Sequence, residues 1–469
     1  MKRLVQLLVA VITVGMVSAC AWAQEASSGS LVSEQAAPAV PHVRALPGIR
    51  VIPKSSLAVT PPAGHKFAAH TNVQFVIPGG FTPQEAPPFT GYGYETPASL
   101  ACVYGLVTTV SGCNPNSTTN TPTGGSQSIA IVDAFDDPEA EGDLAWFSLQ
   151  FGLPLKTSQI QVVWANPITA SCYYGGVPID ETGGWELEES LDIEWAHAMA
   201  PGATIYLVEA CSNYDSDLQQ AVLVANNLVQ CGKTEINATS GALGKCPTGS
   251  TGKGEVSMSW GGDEFVGENG ATSCATLDDS CFTAANVVYF ASSGDSPGVI
   301  WPGTSKNVVS AGGLTTRRNP TSFNLLGTTG WTEAGGGQSA IEARPSYQSS
   351  ISSIVGSFRG TPDLSFDANP DTGVWVYDTF PMDLYEFYQW WVVGGTSVSA
   401  PSLAGIVNRA GAFAASSNAE LTTIYTNKAV TADFTDITSG YCGPYAGFSG
   451  ATGWDYCTGV GADKGYAGK

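Results

Sequence analysis

Short apolar runs alternate with helix-length segments along much of this 469-residue chain. The first run, over residues 128–133, reads Ser-Ile-Ala-Ile-Val-Asp, and a helical segment over 143–151 follows it. Further strands are predicted at 160–164, 204–209, 255–260, 286–292 and 308–310, and further helices from residue 185 and over 217–229. Strands that alternate with helices form a parallel sheet covered on both faces, so an α/β fold is expected. Its working site should lie where the loops after Trp260, Ser292 and Val393 converge, at the carboxyl ends of the strands.

Residues 1–23 have the pattern of a secretory signal peptide. A charged start precedes an apolar stretch over 4–17, and Ala-Trp-Ala over 21–23 provides a small-x-small cleavage site. Residues up to Cys20 loosely match a lipoprotein cleavage box, so a lipid anchor on Cys20, or retention in a periplasm, is the minor alternative. No later stretch is long and apolar enough to cross a membrane. The sequence therefore predicts a secreted protein.

Ten of the 11 cysteines lie beyond the predicted signal peptide. An even number of cysteines in an exported chain favours disulfides. Proximity along the sequence suggests three of the pairs, namely Cys102 with Cys113, Cys274 with Cys281, and Cys442 with Cys457. No cysteine or histidine spacing is typical of a zinc site.

Acidic residues greatly outnumber basic ones. The chain has 41 Asp and Glu against 19 Lys and Arg, a formal net charge of −22. This charge argues against nucleic acids and anionic membranes as partners. It agrees with acid working conditions, under which much of the charge is neutralised, and equally with a well-solvated surface.

Residues 24–88 are rich in Ala, Pro, Ser and Val and are predicted to form an extended leader, linker or shortened prosegment with a strand at 73–77. The main domain is expected over 89–469. Its first element is a short helix over 96–106.

A Gly-Gly-Thr-Ser sequence at residues 394–397 stands between an apolar run and a helix. The run over 390–393 has the character of a buried strand end, and Pro401 falls in the first helical turn, where proline is tolerated. Ser397 should therefore lie at a helix N-terminus, where free N–H groups and the helix dipole favour an oxyanion. Ser397 is a candidate nucleophile, and an ordinary helix cap is the alternative.

Glu188 and Asp192 lie four residues apart on the helix predicted from residue 185, and so on one face. A solvated acidic face is one interpretation of the pair. The adjacent apolar stripe of Leu187, Leu191 and Trp195 instead places the pair at the edge of a buried surface, where the two carboxylates would share a proton.

No histidine is placed to serve as the base for Ser397. Three of the four histidines lie in the leader, and His197 points away from Glu188 around the same helix. His197 is interpreted as a structural or surface residue. Asp133, at the end of the first predicted strand of the sheet, is also interpreted as structural.

The motif Gly395-Thr396-Ser397-x-Ser399-x-Pro401, taken with Glu188-x-x-x-Asp192, resembles the sedolisin (serine-carboxyl) peptidases, acid-active relatives of the subtilisins. Further similar segments follow in order over residues 95–465, including Ser-Trp-Gly at 259–261 and Ser-Ser-Gly-Asp-Ser at 292–296. The resemblance implies a subtilisin-like α/β fold with a mostly parallel central sheet and helices on both faces. It also implies that Ser259, Trp260 and Gly261 flank the substrate.

The resemblance implies four catalytic residues. Ser397 would be the nucleophile, Glu188 its general base, and Asp192 the partner that orients Glu188 and shares its proton. Asp295 would donate a hydrogen bond to the oxyanion as a protonated acid. At pH near 4 a glutamate still accepts a proton, whereas a histidine with an ordinary pKa of about 6.5 is already charged.

Two glycine-rich loops near the C-terminus form a candidate calcium site. Their donors are oxygen atoms only, which suits Ca²⁺. By resemblance, the ligands of one structural Ca²⁺ are Asp436, the carbonyls of Ile437, Ala451 and Gly453, and Asp455. Two surface turns capped by aspartates are the alternative.

These features together predict a secreted, acid-active serine-carboxyl endopeptidase that forms an acyl-enzyme on Ser397, acts on protein or peptide substrates and is a monomer. A catalytically silent relative that binds peptides is one alternative. A glycosidase that uses Glu188 and Asp192 is another, although it leaves Ser397 and Asp295 without a role. Relatives usually carry a long folded prosegment, whereas about 65 residues, 24–88, precede the similar region here, so the sequence leaves open how the chain is kept inactive or helped to fold.

Overall fold

The computed structural model describes residues 46–80, 87, 91–165, 172, 176–232, 246–247, 249–270, 273–382, 388–443 and 447–469. The predicted signal peptide, Cys20 and the first part of the leader lie outside these ranges.

Eighteen strands are present in the described residues. In chain order they are β1 (Leu46–Val51), β2 (His70–Thr71), β3 (Gln74–Gly79), β4 (Ser128–Ala134), β5 (Ile160–Trp164), β6 (Thr204–Ala210), β7 (Gly254–Met258), β8 (Trp260–Gly261), β9 (Val287–Ser292), β10 (Val309–Arg318), β11 (Leu325–Gly330), β12 (Gly337–Ala343), β13 (Phe358–Thr361), β14 (Leu364–Asp367), β15 (Val374–Tyr377), β16 (Trp390–Gly394), β17 (Phe434–Thr435) and β18 (Ala462–Asp463).

Seven α-helices accompany them within the same ranges. They are α1 (Pro97–Val103), α2 (Ala140–Phe151), α3 (Gly184–Met199), α4 (Asp215–Cys231), α5 (Ser352–Val355), α6 (Ser399–Ala410) and α7 (Ser417–Asn427). Short 3₁₀ helices cover Lys54–Ser56, Ser111–Cys113, Asp279–Phe282, Ser346–Ile351 and Pro370–Thr372.

The central sheet has the order β17-β18-β14-β10-β9-β7-β4-β6-β5, with β11 attached to β10. The seven strand pairs from β5 to β18 are parallel, and the pairs β10–β11 and β17–β18 are antiparallel. The expected mostly parallel α/β sheet is confirmed.

Helices pack against both faces of this sheet. Successive side chains of a strand point to opposite faces, so each central strand contributes to two cores. In β4, Ile129 and Ile131 belong to a core with residues of α2, α3 and α6. Ala130 and Val132 belong to a second core that includes the apolar side chains of α4. Both faces of the strand are buried, which explains its continuous apolar sequence.

A second sheet, of order β1-β3-β16-β15, is antiparallel throughout. Two of its strands come from the predicted leader, and the predicted strand at 73–77 corresponds to β3. The apolar run before Ser397 is β16, so it lies in this smaller sheet and not in the parallel one. The chain leaves β16 at Gly394 and enters α6 at Ser399.

Five disulfides join Cys102 to Cys113, Cys172 to Cys211, Cys231 to Cys246, Cys274 to Cys281, and Cys442 to Cys457. The three pairs predicted from proximity are confirmed. Cys172 and Cys211 are 39 residues apart, a separation that gave no local signal. No helix in the described part of the chain is both long and apolar enough to cross a membrane.

Candidate active site

Helix α3 is buried along its whole length, including five acidic side chains. The prediction of a pair at the edge of a buried surface therefore underestimated its burial. His197, on the same helix, is fully buried, and burial lowers its pKa to about 4. His197 is thus an internal residue, and the surface alternative is wrong.

Glu188 lies beside Ser397 within this buried region. Neither of its carboxylate oxygens has a hydrogen-bond partner among the residues that the structure describes. Burial raises its pKa well above the ordinary value, and the charges of Asp192 and Asp133 raise it further, whereas the nearby Ser397 hydroxyl lowers it. The ionisation of Glu188 therefore depends on its burial and on the protonation of its neighbours.

Ser259 hydrogen-bonds to Asp192 and also contacts Ser397. Ser259 Oγ lies 2.8 Å from Asp192 Oδ1 and 3.2 Å from the Ser397 carbonyl oxygen. Burial raises the pKa of Asp192 strongly, and the Ser259 hydrogen bond lowers it in part. The loop after β7 thus positions both Asp192 and Ser397.

Asp133 is a third carboxyl of this group. It lies near the end of β4, is fully buried, and has no hydrogen-bond partner for either carboxylate oxygen within the described residues. Burial raises its pKa to about 8, and its charge contributes to the raised pKa of both Glu188 and Asp192. The interpretation of Asp133 as merely structural missed this contact. Its position at the carboxyl end of a central strand was the signal that could have found it.

Ser397 follows a sharp turn at Gly395. Its backbone N–H donates to Asn72 O at 3.2 Å, and its Oγ lies 3.1 Å from Ser259 O. Gly395 has φ +110°, and a Cβ there would lie 2.0 Å from Asn72 O and 2.6 Å from Asp295 Oδ2. Only glycine fits this position, because both the conformation and the space exclude a side chain.

Asp295 lies on the opposite side of the turn, in the loop after β9. Its Oδ1 accepts hydrogen bonds from Thr396 N at 2.7 Å and Thr396 Oγ1 at 3.0 Å. Burial raises the pKa of Asp295 to about 7, against the lowering effect of the Thr396 hydrogen bonds. Below that pH the carboxyl is protonated, and a proton on Oδ2 can be donated toward the Gly395 turn.

No family model matches the chain. Sedolisin of Pseudomonas sp. (strain 101) is 26% identical to it over 362 residues, which cover 73% of this chain and 57% of that protein. Kumamolisin of Bacillus sp. (strain MN-32) is 29% identical over 316 residues, covering 61% of this chain and 51% of that protein. The chain is thus similar in sequence to both sedolisin and kumamolisin. It spans about half the length of these two relatives.

A solved structure supports the same fold. Pseudomonas sedolisin, a serine-carboxyl proteinase complexed with two molecules of pseudo-iodotyrostatin, superposes with a TM-score of 0.58 at 23% identity, over 80% of this chain and 96% of that one. The expected subtilisin-like fold is confirmed. The loops after β7, β9 and β16 meet, as expected, through hydrogen bonds that join Ser259 to Ser397 and Asp295 to Thr396, although β16 itself belongs to the smaller antiparallel sheet.

The predicted substrate-flanking segment meets the site through its backbone. Trp260 is fully buried, and its indole N–H donates to Val132 O at 2.7 Å, so this side chain is part of the core. The backbone of Trp260 and Gly261 forms β8, which pairs with β2. Three residues near the site were not predicted as functional: Asn72, Gln74 and Ser292. The leader's composition gave no local signal for the first two.

The candidate calcium loops lie together near the C-terminus of the chain. Asp455 Oδ2 accepts from Ala451 N at 2.8 Å, and Asp436 Oδ2 accepts from Gly453 N at 3.0 Å. A Cβ at Gly450 would lie 2.9 Å from Ile437 O, so the two loops are in contact. Within the described ranges, no three acidic, histidine or cysteine side chains form a metal-binding group, so carbonyl oxygens would have to supply most ligands.

Proposed function

We propose that this protein is a serine-carboxyl endopeptidase that hydrolyses peptide bonds in proteins or peptides through an acyl-enzyme on Ser397. The observation that carries the proposal is the meeting of Ser397, Glu188 and Asp295 at one turn that leads into a helix. No histidine in the described part of the chain hydrogen-bonds to Ser397, so a carboxylate has to accept its proton.

In the proposed mechanism, Ser397 Oγ turns from the Ser259 carbonyl toward Glu188 and attacks the substrate carbonyl carbon. Glu188 accepts the proton and later delivers it to the leaving amine. The oxyanion is stabilised by the Ser397 N–H and by protonated Asp295. Water then hydrolyses the ester, with Glu188 again accepting the proton.

Acid favours the oxyanion role of Asp295 and lessens the charge repulsion around Glu188. Burial is the main cause of the raised pKa of Glu188, and protonation of Asp192 and Asp133 removes the further repulsion, which makes Glu188 easier to ionise beside Ser397. The same pH keeps Asp295 protonated, since its pKa is about 7. The proposed activity is therefore acid-dependent.

The free energy of unfolding should also be greater in acid than near neutral pH. Burial raises the pKa of Asp143 to about 6, of Asp137 and Glu420 to about 7, and of Asp133 to about 8. The folded chain therefore binds protons more tightly than the unfolded chain at these sites. Their favourable contribution to folding is complete below pH ~4 and is lost as the pH rises through 6–8.

Export is part of the proposal. The signal pattern over residues 1–23 supports secretion, and five disulfides are typical of proteins that fold in an oxidising compartment. Retention in a periplasm or a lipid on Cys20 is the alternative. We further propose that the protein acts as a monomer.

We also propose that one structural Ca²⁺ binds between the loops of Asp436 and Asp455, with the carbonyls of Ile437, Ala451 and Gly453 as further ligands. The donor set consists of oxygens only, as Ca²⁺ prefers. When bound, the ion would neutralise the two carboxylates and cross-link the loops.

Saturating Ca²⁺ is expected to raise the Tm by about 5 °C, because an ion that binds only the folded chain stabilises it. Asp436→Asn should abolish this rise while changing the calcium-free Tm little, since Asp436 is exposed and its described hydrogen bond is to Gly453 N. Asp263→Asn, at another exposed aspartate, is the control. Calorimetry measures the Tm of each variant in EDTA and in Ca²⁺. If Ca²⁺ raises the Tm of Asp436→Asn as much as that of the parent protein, the proposed site is wrong.

The proposed activity is tested by incubating the acid-treated protein with a denatured polypeptide between pH 3 and 7 and identifying the fragments by mass spectrometry. Cleavage that is greatest in acid and absent in Ser397→Ala is expected. Binding of the polypeptide without cleavage at any pH would instead identify a catalytically silent relative.

A further inference from the structure

A cavity of about 540 Å³ opens at the carboxyl ends of β4 and β5, beside the start of α2. Its volume is in the range of small-molecule sites. None of its residues has a role in the proposed mechanism. Three acidic and three apolar side chains line it, namely Asp136, Asp137, Glu141, Pro138, Val162 and Trp164.

Trp164 forms an aromatic wall of the cavity. It is the last residue of β5 and is 47% exposed. Its indole N–H donates to Asp136 Oδ1 at 2.8 Å, and a Cβ at Gly176 would lie 3.2 Å from its six-membered ring. The indole is therefore held in place by a hydrogen bond and by a backbone contact. An exposed aromatic face of this kind attracts cations.

The acidic side chains of the cavity have no described cation beside them. Asp136 is half-buried, Asp137 is 1% exposed and Glu141 is exposed. Within the described residues, none of the three forms an ion pair with a lysine, arginine or histidine. A concave site lined by one sign of charge concentrates ions of the opposite sign. The cavity therefore favours a positively charged ligand.

A further carboxyl, that of Glu209, lies beneath the cavity and is fully buried. Its Oε1 accepts from Asp137 N at 3.4 Å, and its Oε2 has no hydrogen-bond partner within the described residues. Burial raises the pKa of Glu209 to about 10, and the charge of Asp136 raises it further. An unpartnered buried carboxyl is costly. A cation held at Asp136 would reduce the repulsion between these two groups.

The chemistry of the cavity favours an organic cation over a metal ion. No three acidic, histidine or cysteine side chains in the described ranges form a metal-binding group, and a bare ion has no use for an indole face. A guanidinium group is flat, stacks on aromatic rings and donates two parallel hydrogen bonds to one carboxylate. An ammonium group offers the charge without the flat surface. An arginine side chain therefore fits the cavity best.

The cavity lies on the same edge of the central sheet as the catalytic carboxyls. Asp133 of β4 is opposite Glu209 of β6, which is opposite Trp164 of β5. Neighbouring strands are about 5 Å apart, so Trp164 lies about 10 Å along this edge from Asp133. An extended chain advances about 3.3 Å per residue. A polypeptide bound at Ser397 can therefore place an arginine in the cavity.

We propose that this cavity binds the guanidinium group of an arginine side chain, which stacks on Trp164 and pairs with Asp136. The inference rests on the proposed function in one respect only, since it takes the arginine to belong to a polypeptide substrate. Binding itself requires no hydrolysis. The site would add affinity for substrates that carry an arginine several residues from the cleaved bond.

The test titrates the full-length protein at pH 6 with three probes, the Nα-acetyl amides of arginine, lysine and citrulline. Citrulline replaces the guanidinium by a neutral urea of nearly the same shape. Calorimetry measures affinity, and NMR of isotope-labelled tryptophan indoles reports the Trp164 N–H, whose signal is assigned by its absence in Trp164→Leu. We expect saturable binding of the arginine probe with a shift of this signal, and affinity about tenfold weaker or less for citrulline. Lysine should be intermediate.

Asp136→Asn keeps an oxygen acceptor for the Trp164 indole but removes the charge, so it should weaken binding about tenfold. Trp164→Leu should weaken it about fivefold. Asp263→Asn, at an exposed aspartate, and Trp146→Leu, at a tryptophan that is 60% exposed and does not line the cavity, should bind like the parent protein. If Asp136→Asn does not fold, Glu141→Gln, at an exposed position, should still weaken binding about twofold.

Equal affinities for the arginine and citrulline probes, a Trp164 signal that does not move, or equal binding by a cavity variant and its control overturns the inference. A shift of the Trp164 signal by Ca²⁺ but not by the arginine probe would identify a metal site instead. If the protein binds the arginine probe as expected but cleaves no polypeptide, the proposed peptidase function is wrong and the cation site stands. If it cleaves polypeptides but does not bind the probe, only the cation site is wrong.

Discussion

Ser397→Ala is expected to lower kcat for peptide hydrolysis about 10⁴-fold or more, and Glu188→Gln about 10³-fold or more. The alanine removes the nucleophile. The glutamine keeps the size of Glu188 but cannot accept a proton, and the backbone carbonyl of Ser259, to which the Ser397 hydroxyl donates, is not a base. Steady-state kinetics on a synthetic peptide at pH 4 measure both losses.

Glu189→Gln is the matched control for Glu188→Gln. Glu189 is the next residue of α3, is equally buried, and also has two carboxylate oxygens without a described partner. Its pKa is raised first by burial and then by the charges of Glu209, Asp137, Asp133 and Glu186. The kcat of Glu189→Gln should stay within a few-fold of that of the parent protein. Equal losses in the two variants, or cleavage that survives Ser397→Ala, would remove the basis of the mechanism.

Replacement of Asp295 is expected to have the next largest effect. Asp295→Ala should lower kcat by 10²- to 10³-fold, the usual cost of losing one oxyanion donor. In the parent, kcat should fall as the pH rises through about 7, because Asp295 then loses the proton that it donates. Asp295→Asn carries a donor at every pH and should retain activity on the alkaline side, where the parent loses it.

Asp137→Asn distinguishes this effect from a general effect of buried acids. Burial raises the pKa of Asp137 to about 7 also, but its described hydrogen bonds are to Ser190, Glu139 and Glu209 rather than to the Gly395 turn. Its pH–kcat profile should keep the fall near pH 7. If Asp295→Asn keeps the same fall, Asp295 is not the group responsible for it.

Much of the architecture could be predicted from local patterns. The buried run of β4 and the helices around it follow from residue periodicity, and the position of Ser397 ahead of α6 follows from glycine, proline and cap preferences. Boundaries were less certain: α2 begins at Ala140 and not near residue 143, and β10 extends to Arg318. The strands from β11 to β15 were not predicted. β11 pairs with its neighbour β10 and β12 with its neighbour β13, but the sequences of β11 and β12 have no continuous apolar run.

Two parts of the site depended on contacts between distant segments. The charge of Asp133 acts on Glu188 because β4 and α3 pack together in one core. The two residues are 55 positions apart, so no local pattern predicts this interaction. Asn72 meets Ser397, 325 residues further along, because β2 and β3 pair with β8 and β16. A leader that is rich in Ala and Pro does not reveal which strand edge it will join.

By itself, the sequence determined the parallel α/β class, the helix N-terminus after Ser397 and the shared face of Glu188 and Asp192. Each depends on interactions within a few residues, whose geometry is set by the periods of helix and strand. Only the tertiary structure decided that the charge of Asp133 acts on Glu188 and Asp192, and that the carbonyl of Asn72 accepts the Ser397 N–H. Those outcomes depend on desolvation and on strand pairing over long separations, and neither is encoded in any local segment.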